Sequence, residues 1–181
     1  ALVLNAAGPS IGFVAASGEF RLNQAPTRAN GTLFDGSSVE TTSVRSDVSL
    51  SSGGHLAVAP NSKARIYKNH AVLESGAAAA TGLPLIANKL SVTGSSAHVA
   101  VDSPSRIRVE AQSAPVEVRN EANMLIARVN AGTTLSFEGQ GGASGPIKVT
   151  GMVTKENDVY FITDRTTNVK YQLRGTCFDK D

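Results

Sequence analysis

Between Thr32 and Gly76 the chain alternates apolar and polar residues in short runs: Val39-Glu40-Thr41, Asp47-Val48-Ser49-Leu50, His55-Leu56-Ala57-Val58, Ala64-Arg65-Ile66-Tyr67 and Ala71-Val72-Leu73-Glu74. Gly, Ser, Asn or Pro separates each run from the next. A period of two sends alternate side chains to opposite faces, one into a core and one into water. Runs of this kind, recurring roughly every eight to ten residues with turn residues between, read as short strands of a sandwich, barrel or β-solenoid.

The pattern extends in both directions. Leu2-Val3-Leu4 and residues 11–16 read as two strands parted by the breaker Gly8-Pro9. Glu19-Phe20-Arg21-Leu22 alternates cleanly, whereas residues 23–30, which include Pro26, read as a polar connection. That connection ends in Asn30-Gly31, a type I′ turn signal, and Asn30-Gly31-Thr32 is also a glycosylation sequon. Gly76 and Gly82 bracket the four alanines at 77–80 too closely for a stable helix. Alternation resumes at residues 89–93, 98–101, 107–111, 116–119, 125–129 and 133–137.

The expected fold is therefore all-β, with stacked short strands forming a β-sandwich or short β-solenoid. It occupies residues 1–138 and begins with an N-terminal strand arm. Residues 139–146, Gly-Gln-Gly-Gly-Ala-Ser-Gly-Pro, read as a linker. Residues 147–181 are expected to form a small C-terminal β-meander.

Composition narrows the class. Of 181 residues, 41% are apolar but only 5% aromatic, with no Trp, so Val, Leu, Ile and Ala must build the core. Charged residues are 18%, below the usual quarter, which suits an exported protein. A net charge of +2 with scattered Lys and Arg argues against a nucleic-acid partner. No apolar run reaches the length of a membrane helix. A first residue Ala1 rather than Met leads to the expectation of a chain matured by signal-peptide cleavage. The single cysteine, Cys177, forms no intrachain disulfide and is either a buried apolar residue or an intermolecular thiol.

Two passages resemble FecR-like domains of secreted bacterial proteins. The first runs from Gly18-Glu19-Phe20-Arg21-Leu22-Asn23 through Leu33-Phe34-Asp35-Gly36-Ser37 and Leu56-Ala57-Val58-Ala59-Pro60-Asn61-Ser62 to Leu73-Glu74-Ser75-Gly76. The second, residues 107–137, includes Val116-Glu117-Val118 and Ala127-Arg128-Val129-Asn130-Ala131-Gly132 and is similar to the later part of such domains. The resemblance implies an extracytoplasmic, non-enzymatic domain for sensing, binding or scaffolding. Signalling members add a membrane helix and a cytoplasmic segment, neither of which stands in this sequence, so scaffolding is the expectation.

Candidate chemistry is thin. His55, His70 and His98 lie near strand starts with no carboxylate or Cys at ligand spacing, and ordinary surface histidines are expected. No Gly-x-Ser-x-Gly elbow identifies a nucleophile. Asp35-Gly36 lacks the spaced ligands of a calcium loop and reads as a turn. The expectation is no enzyme and no cofactor, but a secreted structural subunit of a fibre or surface layer at the bacterial cell surface. It would assemble as a homo-oligomer or polymer by strand addition through Leu2, Val3, Leu4, Ile11, Phe13 and Val14, uncharged residues ahead of the first charge, Glu19. The alternative is a soluble extracytoplasmic module that binds a glycan or a protein.

Overall fold

The computed structural model describes residues 8–138, 150–156, 159–165 and 170–172. They carry seventeen strands, and no helix occurs among the described residues. The all-β expectation holds.

The chain begins with a long bent strand, β1 (Ser10–Leu22), paired along one edge to β2 (Ala25–Phe34). The hairpin turns at Asn23-Gln24, with φ of 50° and 69°, the double positive φ of a type I′ turn. The expected turn at Asn30-Gly31 and the polar connection before it are thus corrected: both belong to β2. Residues 25–30 hide from a period-two reading because only Thr27 among them is even partly covered. Among the described residues β2 has a single partner, so Pro26 is tolerated on its outer side. Ala29, at φ 66°, lies where the register with β1 breaks between Ala15 and Glu19.

Six strands then close on themselves. β3 (Ser37–Thr41) pairs the C-terminal half of β1, and β4 (Ser46–Leu50) pairs its N-terminal half. β5 (His55–Val58) continues from β4, and β6 (Lys63–Ile66) pairs β3. β7 (Ala71–Thr81) completes the ring: Ala71–Ser75 lie against β6, and Ala78–Thr81 lie against β5. The order β1-β3-β6-β7-β5-β4 returns to β1 as a small barrel. Val14, Phe20, Val39, Val48, Leu56, Val58 and Ile66 fill it, all buried. The bend in β7 falls at Gly76, with φ 78°, where a side chain would collide with Ser62. Ser62 Oγ accepts the Ala77 N–H at 2.9 Å.

β7 also opens a second lobe from its other edge. β8 (Leu85–Ala87) runs parallel to its start, followed by β9 (Leu90–Thr93). β10 (Ser96–Ser103) pairs its end, followed by β11 (Arg106–Ala111). β12 (Val116–Arg119) pairs β9 and β13 (Leu125–Val129), while β14 (Thr134–Glu138) pairs β11.

The two lobes repeat one pairing scheme. In the first, Val39 faces Ala64 and Ser37 faces Ile66; in the second, Val109 faces Leu135 and Ile107 faces Phe137. Likewise Ser46 faces Val58 and Val48 faces Leu56, as Val116 faces Val129 and Val118 faces Ala127. The entry strands match too, with Val14 opposite Val48 and Val92 opposite Val118. One bond recurs in place: Thr41 N–H donates to Ser62 O at 2.9 Å, and Ala111 N–H to Thr133 O at 3.1 Å. Hence β3, β4, β5 and β6 correspond to β11, β12, β13 and β14.

A separate antiparallel sheet holds β15 (Gly151–Glu156), β16 (Val159–Asp164) and β17 (Lys170–Gln172). Among the described residues no hydrogen-bonded ladder joins it to the larger sheet. The expected linker at 139–146 lies outside the described residues.

Candidate functional site

The feature that sets the lobes apart is their last seam. In the first lobe the outer edge of β6 is covered by β7, and Ala64 and Ile66 are fully buried. Glu74 of β7 reaches back to Lys63 Nζ and Arg65 Nη2, each at 3.0 Å. Partial desolvation alone would push the Glu74 carboxyl up, but hydrogen bonds from Lys63 and Arg65 outweigh it and hold the group below its ordinary value. In the second lobe β14 has one ladder partner, β11, among the described residues. Leu135 and Phe137, at the places of Ala64 and Ile66, are only partly buried. Thr134 and Ser136, at the places of Lys63 and Arg65, are exposed and uncharged.

β2 is the contrasting edge in the same molecule. Its outer side carries Pro26, the Ala29 irregularity and Arg28, which is ion-paired to Glu19 at 3.2 Å. Such features discourage pairing with a further strand. β14, Thr-Leu-Ser-Phe-Glu, has none of the first two, and its one charge, Glu138, stands at its end, paired with Arg106.

A second site gathers at the turns of the first lobe. Tyr67 and His70 stack with ring centroids 4.5 Å apart and planes 9° apart. The backbone beneath is tied down: Asp35 Oδ1 accepts the Lys68 N–H at 2.7 Å, and Tyr67 N–H donates to His70 O at 2.9 Å. The rings border an open groove of about 590 Å³ that Ser52, Lys68 and Leu83 also line. It offers a flat aromatic surface and one ammonium group.

The sequence-derived interface residues divide. Ile11 and Val14 face the protein's own core and are buried, and β1 is paired along both edges. Phe13, on the opposite face, is 54% exposed. Leu2, Val3, Leu4 and Cys177 lie outside the described residues. Asn30 is exposed on β2. The β14 edge and the Tyr67–His70 stack were not singled out from sequence. The signal for the first was the repeat itself, faintly present as Val39-Glu40 and Val109-Glu110.

Among the described residues no three His, Cys, Asp or Glu side chains gather as a metal-ligand set. His55 Nδ1 is 3.3 Å from Ser49 Oγ, and His98 Nδ1 is 3.9 Å from Glu110. No helix among the described residues is long and apolar enough to cross a membrane. Compared with known proteins, the chain matches no family model, no curated protein and no solved structure.

Proposed function

We propose that this chain is a structural subunit of an extracellular assembly, a fibre or surface layer, joined by strand addition between subunits. The observation that carries the reading is β14, which is paired on one edge only among the described residues, beside partly exposed Leu135 and Phe137. An edge without guarding features recruits a further strand, main-chain hydrogen bonds supplying affinity and alternate side chains filling pockets. A head-to-tail contact that does not close on itself propagates. The FecR-like resemblance supports an exported, non-enzymatic scaffold at the bacterial cell surface. Sedimentation velocity and negative-stain microscopy over a concentration series test this. Concentration-dependent oligomers or ordered filaments are expected, and a monomer at every concentration overturns the reading.

The Tyr67–His70 stack favours a second reading, a soluble module that binds a glycan. A sugar ring presents a flat apolar face that packs on such a surface, with Lys68 at its margin. Retardation in polysaccharide-containing gels, abolished by Tyr67→Ala, is the expected signature. Equal mobility with and without polysaccharide overturns it.

A further inference from the structure

Resting on the assembly reading above, we propose a second contact between copies, in which the β12–β13 turn of one chain seats Met124 in the Tyr67–His70 groove of the next. The turn is built to hold its shape. Met124 N–H donates to Asn120 Oδ1 at 2.9 Å, Asn123 N–H to Asn120 O at 2.9 Å, and Asn120 N–H to Met124 O at 3.0 Å. Arg119 Nη1 adds a bond to Asn123 O, also at 3.0 Å. This scaffold holds two apolar side chains out to water, Met124 at 59% exposure and Leu125 at 40%. A turn ordered beforehand loses little conformational entropy on docking.

The groove offers what such a knob needs. A thioether packs favourably at the edges of aromatic rings, which Tyr67 and His70 supply, and Leu83 adds apolar surface. Charge picks out a second copy as the occupant. Glu121 and Lys89, 3.7 Å apart, flank the knob, and Asp35 and Lys68 flank the groove. Each side thus carries one carboxylate and one ammonium group, so that Glu121 meets Lys68 while Lys89 meets Asp35. Position agrees with charge. Leu83 lines the groove two residues before β8 begins, and Lys89 stands two residues after it ends. Groove and knob therefore lie at opposite ends of β8. A contact between opposite ends is head-to-tail, and it propagates when its rotation does not close a ring.

Sedimentation velocity of full-length variants over a concentration series tests the contact. Met124→Ser, at an exposed position, should keep the melting temperature and weaken self-association about tenfold or more. Lys68→Glu and Glu121→Lys should each weaken it as well. The double variant carrying both faces a groove of two carboxylates with a knob of two ammonium groups, and should recover most of the lost association. A Met124→Ser chain that assembles as the original does, or a double variant no better than the single ones, overturns this contact while the assembly reading stands. A melting temperature lowered enough to account for the lost association assigns Met124 to the fold, which also overturns the contact. Monomers of every chain at every concentration overturn the assembly reading, and this contact with it.

Discussion

Ile66 and Phe137 occupy the same place in two halves of the molecule. Ile66 lies opposite Ser37 of β3, and Phe137 lies opposite Ile107 of β11. Ile66 is sealed, because β7 crosses over its strand, whereas Phe137 is partly exposed although it is the larger side chain. Among the described residues the lobes share register and differ in closure. Burial at these seams is thus set by whether another strand arrives, and residue type follows. Small Ala64 fits under β7, while the larger Leu135 and Phe137 stay partly exposed.

The sharpest way to break the comparison is truncation at this pair. Ile66→Ala opens a cavity in a closed barrel and should cost about 2–5 kcal/mol. Phe137→Ala removes more atoms yet should cost less, since part of its surface already meets water. Urea unfolding of both variants checks the order, and a larger loss at Phe137 would mean that the second lobe is as closed as the first.

Backbone closure gives the next largest effect. Gly76→Ala puts a Cβ at φ 78° and into Ser62, and a strained backbone of this kind costs about 1–3 kcal/mol before the clash is added. Gly132, with φ 73°, has open space around it, so Gly132→Ala should show the backbone cost alone. Melting temperatures should fall clearly further for the first variant. Equal falls would show that Ser62 gives way.

A smaller effect separates Ser46 from Val116, which share a position in the two lobes. Ser46 is buried and its hydroxyl has no hydrogen-bond partner among the described residues. Burying a hydroxyl unpaired costs about 1–3 kcal/mol on mutational scales. Ser46→Ala should therefore leave stability unchanged or raise it by about 1 kcal/mol. A clear loss in urea unfolding would point to a partner for the hydroxyl in solution.

Much of this was legible in the residues. Runs at 116–119 and 125–129 matched β12 and β13 end to end, because each has one buried and one wet face. β2 was not legible, since an edge strand with one partner has little to bury and loses its alternation. Nor was closure. Alternation tells which side chains point inward, but not which distant strand lies alongside, and β7 meets four partners. The repeat escaped for a related reason: it is kept as pairing register, while the paired residues change from Ser46 and Val58 to Val116 and Val129. The candidate edge at β14 depends on both closure and repeat, and so could be reached only from the fold.

The smallest effect expected is electrostatic, and it too distinguishes the seams. Glu74 has a folded-state value held below its unfolded one by Lys63 and Arg65. Its contribution is therefore present above the ordinary carboxylate range and is lost as pH falls through the lowered folded value. The groups facing it are two cations on β6, Lys63 and Arg65. Because Lys63 and Arg65 are more than a third exposed, solvent screening limits the contribution to about 1 kcal/mol or less. The corresponding positions on β14, Thr134 and Ser136, carry no charge and give that seam no such dependence. Glu74→Gln should therefore lower stability slightly at neutral pH. It should also flatten the fall in stability in the acid range, measured by urea midpoints from pH 7 down to about 3. An unchanged acid slope in Glu74→Gln would show that the first seam is held by its apolar face alone, and that the charges on β6 and β7 have no part in its closure.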